Sequence, residues 1–569
     1  MVSLLGDRYS FMKNLGREFP FMKNYVIGID FGTLSGRCVV VDARDGSEMS
    51  ESVFEYPHGV MDEALPDGTP LPAMFALQHP ADYLDVLKNT IPDAMAKAGV
   101  SAEDVAAMAV DFTSCTVLPT YEDGTPLCFD EKYKSEPHAY VKLWKHVAPQ
   151  AEADRMNAVA KERNEKWLDN YGGKLSASWL LPKAYEMLNK APAAYADTAR
   201  FYEAGDWVAL MVTGVETHSA AFAGYKAAWN EVDGYPSREY FAAVDERLCD
   251  IVGTKISEKV TSKGIAGCVS KRGAELTGLC EGTPFALAMP DAHVMLAATG
   301  TRPEGEMLMV VGTSGCDFVN TREKRIVPGS CGCVKDAILG GYYTYESGLL
   351  CIGDGFDRFV KNYVPEAYSE AARERGIGIH KLLREKARRL GAGQSGLLAL
   401  NWFNGNRTPL NDSELSGMIL GLTLKTKPEE IYRAMIEATA YATRIVVENY
   451  EKHGISIGDI VAAGGIARKD DMMMQIYADV TGHRIKISTT AQGGSLGSAM
   501  YAAVAAGIYK DIFEACENMS AGYDAVYEPI AENVEIYNKL FEEYLRLQEY
   551  FGGGENDVMK RLIKLSAKY

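Results

Sequence analysis

Three short stretches of the chain order their residues in a way suited to holding a chain of phosphates. Residues 28–37 read GIDFGTLSGR: an apolar run reaches Asp30, bends at Gly32 and Thr33, and resumes at Arg37. Glycine carries no side chain, so backbone N–H groups at such a bend can approach phosphate oxygens. Thr33 adds a hydroxyl, Arg37 a positive charge, and Asp30 a carboxylate that could hold Mg²⁺ through water, since this ion keeps part of its hydration shell. Residues 310–315, VVGTSG, repeat the bend at Gly312 and Thr313. A third glycine-rich turn, AAGGIARKDD at 462–471, sets Gly464 and Gly465 between a predicted strand and a predicted helix, a resting place for an adenosine. One such bend is what any tight hairpin needs. Two of them plus the third turn point to a nucleotide, with Mg²⁺.

The elements that must position these bends alternate between strand-like and helix-like patterns, which gives an α/β chain. YVIGID (25–30) and RCVVVD (37–42) read as two strands of a hairpin, and VAAMAVDFT (105–113) as a buried strand that reaches Asp111. SASWLLPKAYEML (176–188) has helical spacing. Residues 428–454 predict the longest helix: Pro428 opens it, Glu429 and Glu430 lie in its first turn, and Gly454 stops it after Lys452 and His453. Ile431, Met435, Ala438, Ala442, Ile445 and Val446 mark its core face. The two hairpin stretches, 26–42 and 308–321, are similar to each other, so the chain reads as two like halves that face one another. GAGQSG at 391–396 has dinucleotide spacing but follows the helix-like HKLLREKARRL and precedes the strand-like LLALNWF. That order is the reverse of what a dinucleotide site requires, so Gly391 reads as a helix stop. The chain has no Walker loop.

The 569 residues carry 59 basic and 77 acidic side chains, a net charge of −18. Such a balance argues against a surface that wraps nucleic acid. Eleven cysteines, an odd and sparse set, form no disulfide framework and suggest a reducing compartment. Cys316, Cys331, Cys333 and Cys351 lack the spacing of a metal cluster. No apolar run is long enough to span a membrane, and a cytoplasmic location is expected. FMKN occurs at 11–14 and again at 21–24, so residues 1–24 read as a disordered leader or as an extension upstream of a true start at Met22.

With these motifs in hand, the chain resembles the FGGY-type carbohydrate kinases of the actin-like superfamily from about residue 25 to about residue 510. IDFGT and VVGTSG are similar to that family's two phosphate loops, and GMILGLTLKTKPEEIYRAMIE (417–437) to its C-terminal signature. DFTSCTVLP (111–119), LWKH (143–146), GYKAAW (224–229), PDAHV (290–294), VPGSCGCVKDAILGGYYTYESG (327–348) and NWFNGNRTPL (401–410) bring it nearest to the branch that phosphorylates L-ribulose. The resemblance implies two actin-like, ribonuclease H-like domains, with mixed sheets flanked by helices and a nucleotide in the cleft between them. It divides the chain into 25–300, with the sugar site, the first phosphate loop and the base, and 301–569, with the second loop and the adenosine site. It makes Asp291 the catalytic base, and Ser114, Trp144, Lys226, Asp291 and Glu346 the sugar-binding residues. Gly32, Thr33, Arg37, Gly312, Thr313, Gly464 and Gly465 then bind nucleotide, and Asp30 the metal.

The implied reaction is phosphorylation of L-ribulose by ATP. A ketose or polyol kinase for D-ribulose, xylulose or ribitol, and an ATP-switched binding protein, stay open as alternatives. The expected partner is a small-molecule sugar, with no nucleic acid and no membrane; a homodimer is left open. Ala288, Pro290, Leu349 and Asn401 depart from the family pattern and are read as lying near the sugar pocket. PDAHVMLAATG could also begin a helix with Asp291 as its cap, and His293 reads as packing.

Overall fold

The computed structural model describes residues 24–520 and 522–566. The leader, apart from Asn24, lies outside the described residues. In the first half the strands run β1 (Tyr25–Phe31), β2 (Ser35–Asp42), β3 (Ser47–Glu55), β4 (Val105–Phe112), β5 (Val117–Thr120), β6 (Val141–Lys142), β7 (Arg200–Glu203), β8 (Ile265–Cys268), β9 (Pro284–Ala286) and β10 (Met289–Pro290). The main sheet has the order β8-β9-β4-β1-β2-β3, with β10 beside the end of β4. All of β4 is buried, as an apolar run without alternation requires of a strand covered on both faces. Strands β5, β6 and β7 join Leu77–Gln78 in a second, smaller sheet. Helices α1 (Pro80–Ala98), α2 (Leu180–Lys190), α3 (Ala204–Thr213) and α4 (Ala220–Lys226) pack around these sheets. Helix α5 (Asp291–Ala298) follows β10 directly.

The second half repeats the plan. Its strands are β11 (Gly305–Val311), β12 (Gly315–Thr321), β13 (Gly332–Lys335), β14 (Tyr343–Leu349), β15 (Ile457–Ala463), β16 (Arg484–Ser488) and β17 (Tyr523–Tyr527). Their order is β13-β14-β12-β11-β15-β16-β17. In both halves a first strand lies antiparallel to the second, the second antiparallel to the next ladder strand, and the first parallel to a later strand: β1 with β2, β3 and β4, then β11 with β12, β14 and β15. The helices here are α6 (Ile379–Ala387), α7 (Pro428–Lys452), α8 (Gly465–Lys469) and α9 (Gly493–Ala505). Helix α7 starts at Pro428 as predicted, and the Glu430 carboxylate accepts the Lys427 N–H at 2.6 Å.

Helices α5 and α9 lie between the two main sheets. Val294 and Leu296 of α5, with Leu496 and Ala499 of α9, share one buried cluster with Val26 and Val39 of the first sheet and Leu308 and Val461 of the second. One sequence expectation fails nearby. Helix α6 ends at Ala387, its cap Arg388 has a right-handed backbone, and Gly391 lies beyond it in a turn where its N–H donates to Gln394 Oε1. The left-handed glycines of that stretch are Gly393 and Gly396.

Candidate active site

Three carboxylates converge at the ends of three neighbouring parallel strands. Asp30 and Asp111 are register partners across β1 and β4, and their following residues, Phe31 and Phe112, stack with ring centroids 4.8 Å apart. Strand β10 pairs Met289 with Asp111, which sets Asp291 two residues further on at the first position of α5. Pro290, not Asp291, occupies the cap position, and Asp291 Oδ1 accepts the Ala292 N–H at 2.7 Å. Burial first, then the charge of Asp30, pushes the Asp291 carboxyl up to about 7. Burial also raises Asp30, against the pull of Asp111 and Arg37, and burial with the Asp30 charge carries Asp111 well above the carboxylate range.

Asp111 was not singled out from the sequence. It is fully buried, accepts a hydrogen bond from Ser498 at 2.7 Å through Oδ2, and has no partner for Oδ1. The signal for it was legible: β1 ends in Ile-Asp-Phe and β4 in Val-Asp-Phe. A buried carboxylate oxygen without a donor, beside two further carboxylates, fits a hard divalent cation such as Mg²⁺ with Asp30 and Asp111 as its holders.

Both Gly-Thr bends are closed by the glycine N–H on a serine carbonyl, the first bend being one residue longer than the second. The Gly32 N–H donates to the Ser35 carbonyl at 3.0 Å and the Gly312 N–H to the Ser314 carbonyl at 3.0 Å. Thr33 is tied twice: its carbonyl accepts from Gln78 Nε2 at 2.7 Å and its hydroxyl from the Trp144 indole at 3.2 Å. The second bend and the third turn come together. Gly464 stands at φ 98°, and a Cβ there would lie 2.5 Å from the Val311 carbonyl, immediately before Gly312. Gly465 opens α8, and Ile466 approaches Gly353, whose N–H donates to the Gly312 carbonyl at 3.1 Å. Arg37 sits opposite Asp30 in the β1–β2 ladder, but its guanidinium donates to Glu51 at 3.1 Å.

Two of the remaining predicted residues, Lys226 and Glu346, form a buried polar cluster between the halves. Lys226, the last residue of α4, donates to both carboxylate oxygens of Glu346 on β14, at 3.1 and 2.8 Å. Glu346 also pairs with Arg407, a residue that sequence reasoning quoted within NWFNGNR but gave no role. His293 Nε2 lies 3.2 Å from Glu346, between the rings of Tyr225 and Phe318, so it joins the cluster as well as packing. Burial alone would raise Glu346, yet Lys226, Arg407 and His293 outweigh it and hold the carboxyl well below its ordinary range. The charges of Lys226 and Glu346 both act on the Asp291 carboxyl, in opposite directions. Ser114 is half-buried in the loop after β4, one residue before Cys115, whose thiol feels Lys226 and Glu346.

The residues that depart from the family pattern are spread over both halves. Ala288 and Leu349 are buried in apolar clusters of the first and second halves, and Asn401, also buried, accepts a hydrogen bond from Tyr544 at 3.5 Å. Pro290 lies directly before Asp291, and Leu349 pairs with Gly315 at the end of the second bend.

Duplicated halves, a glycine–threonine bend after the first strand of each, and carboxylates at parallel strand ends define a two-domain phosphotransferase of the actin-like type. Residues 307–506 match the model of the FGGY family of carbohydrate kinases, C-terminal domain. The chain is 49% identical over 538 residues to a ribulokinase of Bacillus licheniformis, covering 94% of this chain and 97% of that protein. It is 45% identical over 546 residues to a ribulokinase of Geobacillus thermodenitrificans, covering 95% and 97%. The fold matches a ligand-bound xylulose kinase from Lactobacillus acidophilus with a TM-score of 0.77 at 18% identity, over 93% of this chain and 99% of that one. The chain belongs to the FGGY family of carbohydrate kinases and, within it, to the ribulokinases. It is a sugar kinase.

Proposed function

We propose that this protein transfers the γ-phosphoryl group of ATP to the terminal hydroxyl of L-ribulose, giving L-ribulose 5-phosphate in the cytoplasmic breakdown of L-arabinose. Its similarity to ribulokinases supports the choice of sugar. The observation that carries the chemistry is the place of Asp291 at the start of α5, where the pairing of Met289 with Asp111 brings it to the Asp30–Asp111 strand ends; burial and the Asp30 charge push its carboxyl up to about 7. A base that titrates near the working pH is well matched to accept the proton of the attacking hydroxyl, an effect typically of about 10²–10⁴ in rate.

The other residues position and neutralise. Holding the hydroxyl in line with the γ-phosphorus can remove roughly 7–11 kcal/mol of the barrier. The N–H groups and hydroxyls of Thr33 and Thr313 cradle the phosphates, Gly32 and Gly312 close the two bends with no Cβ in the way, Arg37 adds positive charge, and Gly464 and Gly465 leave room for the adenosine. Mg²⁺ held by Asp30 and Asp111 would offset the charge that spreads over the phosphoryl oxygens. Lys226, Glu346 and Arg407 pair with sugar hydroxyls, Ser114 adds one more hydrogen bond, and Trp144 lies against the C–H face. A site built on such pairs rejects sugars that lack the matching hydroxyl. In this reading residues 25–300 carry the base and the sugar contacts Ser114, Trp144 and Lys226, and 301–569 carry the adenosine site together with Glu346 and Arg407. Closure of the halves on the sugar then keeps water from the phosphoryl group.

An ADP-release assay across L-ribulose, D-ribulose, xylulose and ribitol tests the proposal. L-Ribulose should give the highest kcat/KM; equal or better turnover of another sugar would replace it. Slow ATP hydrolysis unaffected by any sugar would favour an ATP-switched binding protein.

A further inference from the structure

Two buried ionisable side chains outside the cluster described above act on the loop that carries Ser114. After β4 the chain turns through Thr113–Thr116, and Cys115 stands there at φ 60°. A non-glycine residue holds this left-handed conformation only where its surroundings impose it. Here one peptide unit is gripped at both ends. The Cys115 carbonyl accepts from Lys183 Nζ, and the Thr116 N–H donates to Glu203 Oε2 at 3.2 Å.

Lys183 does more than hold that carbonyl. It also donates to the carbonyls of Lys142 at 3.2 Å and Leu143 at 2.9 Å, the two residues before Trp144. One ammonium therefore ties the Ser114 loop to the Trp144 loop. Lys183 projects from α2 and Glu203 ends β7; they are 1% and 3% exposed. Burying an ammonium is expensive unless its donors are used, and here all three have carbonyl acceptors. An apolar residue would fill the same space without that expense, so the charge is explained by what it holds.

We propose that Lys183 and Glu203 are positioning residues of the sugar subsite. They clamp the Cys115–Thr116 peptide from opposite ends and present Ser114 and Trp144 to the sugar in one fixed arrangement. The inference rests on the assignment of Ser114 and Trp144 to the sugar in the function proposed above.

Lys183→Met, Glu203→Leu and Glu203→Gln test it, with sugar and ATP varied separately. Lys183→Met and Glu203→Leu should raise the sugar KM about tenfold or more, with the ATP KM within about twofold. Glu203→Gln keeps an oxygen acceptor for the Thr116 N–H and should stay within about threefold of wild type for the sugar. An unchanged sugar KM in the folded variants, or equal losses toward sugar and ATP, overturns the proposal. If Lys183→Met does not fold, the contrast between Glu203→Leu and Glu203→Gln decides. Amide hydrogen exchange on the full chain gives a second readout: residues 113–118 and 141–145 should exchange faster in Lys183→Met and Glu203→Leu but not in Glu203→Gln. Unchanged protection also overturns it. If the wild type shows no sugar-stimulated ADP release, the sugar-kinase reading fails, and exchange alone then judges the clamp.

Discussion

The indole N–H of Trp144 donates to the hydroxyl of Thr33 at 3.2 Å. One hydrogen bond thus joins the side chain proposed to lie against the sugar to the bend proposed to hold phosphate, 111 residues apart in sequence. Binding of one substrate can therefore organise the site of the other. Trp144→Phe and Thr33→Val should each lower kcat/KM, and the double variant should lose less than the sum. We expect a coupling of about 0.5–3 kcal/mol from the double-mutant cycle. Additive losses would mean that the bond carries no communication between the sites.

Asp291→Asn should lower kcat by about 10²–10⁴ while nucleotide affinity holds. Because the base works deprotonated, wild-type kcat/KM should fall as the pH drops through about 7, and the variant should lack that limb. Stability moves the other way. The folded carboxyl is raised from 3.8 to about 7, so over that range the native state keeps a proton that the unfolded chain has released. Ionising Asp291 therefore weakens the fold as pH rises through that window. Urea unfolding should find Asp291→Asn at least as stable as wild type at pH 8, with the advantage gone near pH 4. A variant less stable than wild type at pH 8 contradicts the assigned shift.

Asp30→Asn and Asp111→Asn should each raise the Mg²⁺ concentration for half-maximal rate by about 10–100-fold. Asp111 is the sharper case, since its orphaned Oδ1 lies in a fully buried side chain. If Asp111→Asn leaves the Mg²⁺ dependence where it was, Asp111 serves only to bond Ser498.

Lys226 and Glu346 form a fully buried ion pair between the halves, and removing one member strands the other. Lys226→Met should cost about 3–5 kcal/mol at most, with Arg407 retaining part of the charge balance. Since Glu346 is held below its ordinary pKa of 4.5, its stabilisation is complete above that value and is lost as the pH falls through its lower folded-state value. That acid dependence has the opposite sign to that of Asp291. Unfolding of Lys226→Met should therefore show a weaker acid dependence below pH 4.5; an unaltered dependence would remove the pair from the stability of the acid-exposed protein.

What the sequence disclosed was local. The hairpin around Asp30, its repeat around Gly312 and the cap of α7 follow from residues adjacent in the chain, where turn chemistry and apolar spacing suffice. Roles that depend on distant partners were hidden. Arg407 and Lys183 are ordinary basic residues in sequence, and they matter only because the fold brings Glu346 to one and three carbonyls to the other. Asp111 fell between these cases: its strand was recognised, but its pairing with Asp30 depends on a register that apolar spacing does not set. Nor does position in the chain show that Ala288, Leu349 and Asn401 are buried.

The glycines of the opening motif divide along this line, and that division can be measured. A Cβ on Gly28 would lie 1.8 Å from the Ser495 carbonyl oxygen and 2.8 Å from the Ala499 nitrogen, both backbone atoms of α9. Backbone cannot rotate aside, so Gly28→Ala must push α9 off β1. A Cβ on Gly32 would meet only the Ser35 carbonyl, at 3.3 Å, so the fold tolerates it while phosphate access narrows. Gly28→Ala should therefore lower the urea midpoint by the equivalent of about 3 kcal/mol. It should also impair Mg²⁺ use, because Gly494 at the start of α9 packs against Asp30 and Asp111. Gly32→Ala should keep near-native stability and raise the ATP KM instead. Equal losses of stability in the two variants would mean that both glycines serve packing, and that the first bend is no phosphate cradle.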